Sequence, residues 1–237
     1  MEVARRSNRL SDDQLRKIYD QTYVDRYDPH ASQRMRRMLP FFNLSGQEVV
    51  ADFGCGNGVL LELIASRVRE YVGIDFSEEF IRAAEQRRDA RAIGKGTFRC
   101  ADLVEFAEGH PNHFDAAFAL DFSEHLYDDQ FLRIFRAIHG ALKPSGSLYL
   151  HTPNAEYFVE HFRQRGLLKQ IEGHVGVRTA GNHQALLVEC GFVDVTIRYI
   201  AHYLRLGAAL HGLGGLPGVG RYFQARLFIE CRKPKLG

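Results

Sequence analysis

Short apolar runs alternate along the chain with segments in which apolar residues recur at helical spacing. The first run contains Val49 and Val50, and the segment after it carries Leu60, Leu61 and Ile64 on one helical face. Because this alternation is typical of parallel strands that are covered on both sides, the pattern predicts an α/β fold. The predicted strands lie at 49–52, 71–75, 96–100, 114–120, 147–152, 191–199 and 222–231, and later helices at 78–89, 128–142, 155–173 and 180–190.

Polar side chains stand at the carboxyl ends of five predicted strands. They are Asp52, Asp75, Asp102, Asp121 and His151. Since the carboxyl ends of parallel strands meet at one edge of a sheet, and ligands of such sheets bind there, we expect one shared site.

Three glycines at alternate positions follow the first strand, at Gly54, Gly56 and Gly58. Glycine permits positive φ and a close approach of a ligand to the backbone. The dinucleotide-binding pattern Gly-x-Gly-x-x-Gly does not fit, because position 59 is valine. Asp75 follows Gly58 by 17 residues, a spacing that favours a carboxylate on ribose hydroxyls, while Ser77 is placed to cap the next helix.

The ordered set of glycine loop, acid and second acid resembles the class I S-adenosylmethionine-dependent methyltransferases over about residues 45–200. The resemblance implies a Rossmann-like, seven-stranded, mostly parallel sheet of order 3-2-1-4-5-7-6 with its last strand antiparallel. It implies S-adenosylmethionine as cofactor and S-adenosylhomocysteine as product. The implied cofactor-binding residues are Asp52, Gly54, Cys55, Gly56, Asp75, Phe76, Ala101, Asp102, Leu103 and Leu120, with Asp102 on the adenine amino group.

The loop after the fourth strand reads Asp121-x-x-Glu124-His125, and His174 follows later. It resembles the signature of the ubiquinone-biosynthesis O-methyltransferases, which is associated with a divalent metal, and a similar set occurs in small-RNA 3′-terminal 2′-O-methyltransferases. The resemblance implies Asp121, Glu124, His125 and His174 as metal ligands. Glu-His also occurs at this place in methyltransferases without a metal, and then His125 or His151 is the expected general base.

Two additions flank the predicted core. Residues 1–44 are expected to form a helical cap, in which Tyr19, Tyr23 and Tyr27 either line the site or pack against the domain, and residues 45–237 the methyltransferase domain. An apolar insertion near 203–220 could line a pocket, contact a membrane surface peripherally, or pack in the core or a dimer.

Composition and net charge exclude some classes of partner and indicate a cellular compartment. The 237 residues carry a formal net charge of +2, which argues against nucleic acid as partner and so against RNA 2′-O-methylation. Four scattered cysteines without a Cys-x-x-Cys pair, and no apolar leader in the first thirty residues, predict a cytoplasmic protein. Oligomeric state stays open.

The expected reaction is methylation of a hydroxyl on a small or lipophilic acceptor, such as a phenol, a secondary metabolite or a glycan unit. N-methylation of a small amine by a histidine base is the alternative. A non-catalytic cofactor sensor would be expected to show a degraded glycine loop, whereas the glycine loop of this chain is intact.

Overall fold

The computed structural model describes residues 31–171, 173–203 and 205–235. Residues 1–30 of the predicted cap, with Tyr19, Tyr23 and Tyr27, lie outside these residues. The strands of the sheet are β1 (Val49–Phe53), β2 (Glu70–Asp75), β3 (Thr97–Cys100), β4 (Phe114–Leu120), β5 (Leu142–Pro153), β6 (Val193–Ile200) and β7 (Arg226–Arg232). The α-helices are α1 (Ala31–Arg36), α2 (Val59–Ile64), α3 (Glu78–Ala90), α4 (Leu103–Glu108), α5 (Asp128–Ala141), α6 (Phe158–Gln164), α7 (Ala180–Glu189) and α8 (Arg205–His211).

The order of strands across the sheet is β3-β2-β1-β4-β5-β7-β6. The first five strands pair in parallel, whereas β7 runs antiparallel to both β5 and β6. This confirms the predicted topology. The carboxyl ends of the parallel strands therefore share one edge, where the candidate site residues meet.

Helices cover both faces of the sheet, as predicted. Every residue of β1 is buried, because Val49, Ala51 and Phe53 enter one core while Val50 enters the other. The first core packs against α4, α5 and α7, and the second against α1, α2 and α3. A strand buried on both sides reads as a continuous apolar run, which explains why β1 could be recognised in the sequence.

Several boundaries differ from the prediction. The prediction ended a helix at 142 and began the next strand at 147, but β5 already begins at Leu142 and includes residues 143–146. The register of β4 with β5 shifts between Phe114 and Ala116, and Ser145 has φ 65°, so the strand enters the sheet through an irregular turn. Among the described residues of the segment 155–173, helix is confined to Phe158–Gln164. β7 begins at Arg226 because residues 220–223 form a 3₁₀ turn.

The apolar insertion contains α8 and two 3₁₀ turns. Leu213, Leu216 and Val219 keep 39%, 47% and 48% of their surface exposed, so they do not enter the core. Within the described ranges, no helix has the length and apolar character needed to cross a membrane.

Candidate active site

The glycine loop turns sharply between β1 and α2. Gly54, Gly56 and Gly58 have φ of 75°, 50° and 73°, the left-handed region that favours glycine. The amides of Gly54 and Cys55 both donate to the carbonyl oxygen of Ile74, at 2.8 and 3.0 Å, which fixes the loop to the end of β2. A Cβ on Gly54 would stand 2.8 Å from the Phe122 ring, so the loop also packs closely against the segment that follows β4.

Asp75 lies beneath this loop with its carboxylate held by two backbone amides. Oδ2 accepts from Gly56 and Oδ1 from Ser77, each at 3.0 Å. A carboxylate has about four acceptor positions, so each oxygen retains capacity for a hydroxyl donor. Burial raises the pKa of Asp75 to about 6, although the two amides act to lower it. This arrangement is compatible with the predicted ribose contact, which stays a prediction.

Asp52 lies at the end of β1 and is also buried. The Tyr71 hydroxyl donates to its Oδ2 at 2.6 Å. Burial raises the pKa of Asp52 to about 7, the Tyr71 hydrogen bond opposes the rise, and the charge of Asp75 adds to it. Cys55 is buried in the same place, and burial followed by these two acids raises the pKa of its thiol well above the ordinary value.

The residues predicted to contact adenine lie after β3. Asp102 is the N-cap of α4, where its Oδ1 accepts from the amides of Val104 and Glu105 at 2.8 and 3.1 Å. This capping role was not predicted. Leu103 and Leu120 are buried, while Phe76 and Ala101 are half-buried at the ends of their strands.

Three of the four predicted metal ligands come together. One oxygen of Glu124 and one nitrogen each of His125 and His174 lie within 4.8 Å of one another. The Nδ1 of His125 faces the carbonyl oxygen of Gly173 at 3.1 Å. Because a carbonyl oxygen can only accept, Nδ1 carries the proton and the lone pair is on Nε2, as in metal-ligating histidines. The hydroxyl of Thr152 donates to Glu124 Oε2 at 3.1 Å and orients that carboxyl group.

The electrostatics of this cluster suit a cation. The Nδ1 of His174 is buried and has no hydrogen-bond partner among the described residues. Burial, with the charges of His125 and nearby arginines, lowers the pKa of His174 to about 3, so its ring is neutral. Burial and the charge of Asp121 raise the pKa of Glu124 to about 8. An unpartnered ring nitrogen and a buried carboxyl group are both stabilised by a bound divalent ion, so the donor set fits a metal.

Asp121 is not placed with these three residues. Its Oδ2 accepts from Arg34 Nε at 2.9 Å, and its Oδ1 accepts from Arg226 Nη1 and His151 Nδ1, each at 2.8 Å. Burial alone would raise the pKa of Asp121, but His151, Arg226 and Arg34 together lower it well below the ordinary value. Both oxygens are therefore engaged by an ion-pair network and not by the histidines of the cluster.

The contact with Asp121 sets the state of His151. A carboxylate only accepts, so Nδ1 of His151 carries the proton and the lone pair is on Nε2. Burial lowers the pKa of His151 although Asp121 acts to raise it, which keeps the ring neutral near pH 7. A neutral imidazole oriented by a carboxylate is a common arrangement for a general base.

Arg178 joins the loop of Glu124 and His125 to the loop of His174, and no sequence motif predicts this role. The side chain is 4% exposed and its guanidinium lies 5.0 Å from the centre of the Phe131 ring. It donates to the carbonyl oxygens of Ser123, Gly176 and Leu126 at 2.9, 2.7 and 2.6 Å and to Asp128 Oδ1 at 2.8 Å. These contacts join the loop of Glu124 and His125 to the loop that carries His174.

Two arginines of the ion-pair network were also missed, Arg34 on α1 and Arg226 at the start of β7. They lie 87 and 105 residues from Asp121 in the chain, so no local motif could reveal the contact.

Comparisons with known proteins identify relatives of this sequence and fold. Residues 50–146 match the family described as a methyltransferase domain. A ubiquinone biosynthesis O-methyltransferase of Neisseria meningitidis is 30% identical over 132 residues, covering 55% of this chain and 50% of that protein. One from Pseudomonas syringae is 32% identical over 112 residues, covering 47% of each chain. The chain thus spans about half the length of the curated relatives it matches.

Solved structures share the fold. A SAM-dependent methyltransferase from Archaeoglobus fulgidus superposes with a TM-score of 0.64 at 20% identity, over 85% of this chain and 92% of that one. The Haemonchus contortus phosphoethanolamine N-methyltransferase 2, solved with phosphomonomethylethanolamine and S-adenosylhomocysteine, gives 0.69 at 19% identity, over 96% and 61%. The sheet order and the glycine loop are therefore those of the class I S-adenosylmethionine-dependent methyltransferase fold, and residues 50–146 match the methyltransferase domain family.

Proposed function

We propose that the chain transfers the methyl group of S-adenosylmethionine to a hydroxyl of a small acceptor, with a divalent cation held by Glu124, His125 and His174. The proposal rests on the convergence of these three side chains, whose ligand atoms lie within 4.8 Å of one another. The buried Nδ1 of His174, which has no hydrogen-bond partner among the described residues, supports it. The names of the curated relatives support oxygen as the methylated atom.

The cofactor side uses the glycine loop and the two buried acids. Asp75 accepts the ribose hydroxyls with the acceptor positions that its backbone partners leave open. The loop glycines let the cofactor approach the backbone, and Leu103 and Leu120 offer apolar surface beside it.

The reaction needs the acceptor hydroxyl to lose its proton. A divalent ion held by Glu124, His125 and His174 would supply Lewis-acid stabilisation of the acceptor oxygen. His151 takes the proton on Nε2, and Asp121 stabilises the imidazolium that forms. The oxygen then bonds the methyl carbon as the carbon–sulfur bond breaks. The sulfonium becomes the thioether of S-adenosylhomocysteine, and the proton stays on His151.

The Asp121–His151 pair also supports a second candidate, the methylation of an amine without a metal. An amine needs only the removal of a proton by a base, which this pair offers by itself. The two candidates differ in whether the cluster of Glu124, His125 and His174 binds a cation.

The apolar insertion remains a predicted contact surface. The exposure of Leu213, Leu216 and Val219 supports contact with a lipophilic acceptor, a second copy or a membrane surface over burial in the core.

Calorimetric titration of the full chain with S-adenosylhomocysteine, and then with Mn²⁺, tests the proposal. We expect both to bind, and we expect Glu124→Gln and His174→Ala to weaken Mn²⁺ binding by about tenfold or more while the cofactor affinity stays constant. His113→Ala is the matched control, because His113 is exposed and outside the cluster. Absence of cofactor binding refutes the methyltransferase assignment. If Glu124→Gln leaves the affinity for Mn²⁺ unchanged, the proposed metal site is refuted.

A further inference from the structure

We propose that exposed apolar and basic side chains of residues 161–171 and 212–223 bind the surface of an anionic lipid bilayer. The first range contains the end of α6 and the segment that follows it, and the second contains the tip of the apolar insertion. Together they are called the apolar–basic surface. Its binding to a bilayer does not depend on the chemistry proposed for the site.

Large apolar side chains that face solvent are concentrated on the apolar–basic surface. Among the described residues nine such side chains are exposed, and seven of them belong to it: Phe162, Leu167, Leu168, Ile171, Leu213, Leu216 and Val219. Leu167 keeps the largest share of its surface exposed, 68%. A concentration of exposed apolar side chains is typical of a surface that contacts a partner or a membrane.

Aromatic contacts join the two ranges into one surface. Phe158 of α6 contacts Phe223 of the insertion with ring centres 6.2 Å apart, and it also contacts Phe162, at 6.1 Å. The ring centres of His161 and Tyr222 are 6.1 Å apart. Because these contacts tie α6 to the end of the insertion, the exposed residues of both lie on one part of the molecule.

Positive charge is concentrated in the same part of the chain. Residues 161–172 and 205–223 contain five basic residues and one acidic residue, a formal net charge of +4 where the whole chain carries +2. The rest of the chain is therefore net negative. Such an asymmetry indicates an anionic partner for the basic part.

Arg165 and Lys169 place this charge among the exposed leucines. Both side chains are exposed, and neither forms an ion pair with another described residue. The described arginines elsewhere on the surface pair with Glu160 and Glu156 and add less. Anionic headgroups neutralise such cations while neighbouring apolar side chains insert below the headgroups, the arrangement of segments that lie in a membrane interface. An anionic bilayer therefore satisfies the charge and the apolar side chains together.

The apolar–basic surface lies next to the candidate active site. The amide of His174 donates to the carbonyl oxygen of Ile171 at 3.2 Å, and Gln170 Nε2 donates to the carbonyl oxygen of His174 at 3.5 Å. A bilayer bound at this surface therefore lies beside the loop of a proposed metal ligand. A lipophilic acceptor would then reach the site from the lipid without crossing water, a consequence that rests on the proposed function.

Flotation of the full chain with vesicles tests the inference. Vesicles of an equal mixture of phosphatidylcholine and phosphatidylglycerol are compared with vesicles of phosphatidylcholine alone. We expect the mixed vesicles to bind at least about twentyfold more tightly, since each of two exposed cations near an anionic surface contributes about fivefold. Added salt should reduce this preference, because it screens exposed charges.

Apolar variants locate the surface. The double variant Leu167→Ser and Leu168→Ser, and separately Leu216→Ser, should each weaken binding to mixed vesicles by about tenfold or more, since a polar side chain gains little from insertion. Val188→Ser is the matched control, because Val188 is 56% exposed but lies on α7, outside the surface. The Tm of each variant is measured alongside, and these exposed positions should leave it nearly unchanged.

Charge variants test the lipid specificity. The double variant Arg165→Gln and Lys169→Gln should lower the affinity for mixed vesicles by about tenfold or more and leave the affinity for neutral vesicles unchanged. Arg136→Gln is the control, because Arg136 is 53% exposed and lies on α5, outside the surface.

Absence of binding to mixed vesicles overturns the inference, as does equal binding to both kinds of vesicle or binding that all surface variants leave unchanged. Sedimentation velocity distinguishes a second copy of the chain: a dimer that Leu216→Ser dissociates, without vesicle binding, assigns the surface to self-association instead. S-adenosylhomocysteine is titrated separately. If vesicles bind and the cofactor does not, the proposed function falls and the inference stands, whereas the reverse result removes only the inference.

Discussion

Replacement of Arg178 by methionine tests whether one buried side chain holds the proposed metal ligands Glu124, His125 and His174 in place. Methionine keeps an unbranched apolar stem of similar length, so packing on Phe131 is largely retained. The substitution removes the charge and every hydrogen bond of the guanidinium. The perturbation is therefore confined to the polar contacts that join the two loops.

The magnitude follows from the partners of Arg178. Ser123, Gly176 and Leu126 lose the donor to their carbonyl oxygens. A hydrogen bond to a charged group contributes about 1.5–3 kcal/mol, and contacts of one side chain are not additive. Asp128 is 75% exposed, so its ion pair adds little. We expect Arg178→Met to lower the free energy of unfolding by about 3–5 kcal/mol, a large part of the stability of a typical domain.

Urea unfolding measures this loss, with Arg136→Met as control. Arg136 pairs with Glu189 at the surface, so its replacement should cost about 1 kcal/mol or less. The functional measurement is a titration of folded Arg178→Met. Mn²⁺ affinity should fall because the loop of His174 is no longer fixed to that of Glu124, whereas S-adenosylhomocysteine affinity should not change. Arg178→Lys should recover only part of both losses, since an ammonium cannot reach all four acceptors in one plane.

The reasoning is refuted if Arg178→Met costs no more than Arg136→Met, because the contacts would then contribute nothing net. It is also refuted if the free energy of unfolding falls as expected while Mn²⁺ affinity stays at the wild-type value. The loops would then hold their positions without the arginine.

Three further results are expected. Gly58→Ala should lower the free energy of unfolding by about 2 kcal/mol or more in urea, because φ is 73° and the new Cβ would stand 2.9 Å from Phe98, whereas Gly94→Ala, which meets no atom within 4 Å, should cost little. Tyr71→Phe should cost about 1–3 kcal/mol, since it leaves buried Asp52 without its 2.6 Å donor, and no loss in the melt would contradict this. Burial raises the pKa of Asp52 to about 7, so the folded state keeps a proton that the unfolded state releases near pH 4, and the contribution of Asp52 to stability should decline as pH rises from about 4 to 7. Unfolding measured across this range should have a smaller slope in Asp52→Asn, and an unchanged slope would contradict the assignment.

The sheet could be predicted because its information is local. β1 is buried along its whole length and β4 nearly so, and each is apolar apart from one aspartate, Asp52 or Asp115. The start of β5 could not be predicted in the same way. Residues 143–146 contain Pro144 and Gly146, which usually end a helix, and only the pairing of Leu142 with Phe114 places them in the strand.

The site was predicted as far as strand ends determine it. Asp75 needs only its place after β2 to lie under the glycine loop. The partners that define the other side chains come from distant parts of the chain: Arg178 lies 55 residues from Ser123, and Gly173 lies 48 from His125. Neither spacing corresponds to a sequence motif, so only the structure shows the hydrogen-bond partners of these side chains.

Asp121 and Glu124 show why the pattern acid-x-x-Glu-His does not determine a metal site by itself. Both carboxyl groups are buried within one short loop, yet their pKa values move in opposite directions. Asp121 contacts Arg34, Arg226 and His151, which keep its carboxylate ionised and neutralise its charge without a metal ion. Burial and the charge of Asp121 raise the pKa of Glu124, although Arg226 and the Thr152 hydrogen bond act to lower it, so a nearby cation would favour its anion. This difference in pKa depends on Arg34 of α1 and Arg226 of β7. Two chains with the same loop can therefore differ in metal binding according to whether they carry arginines at these two positions.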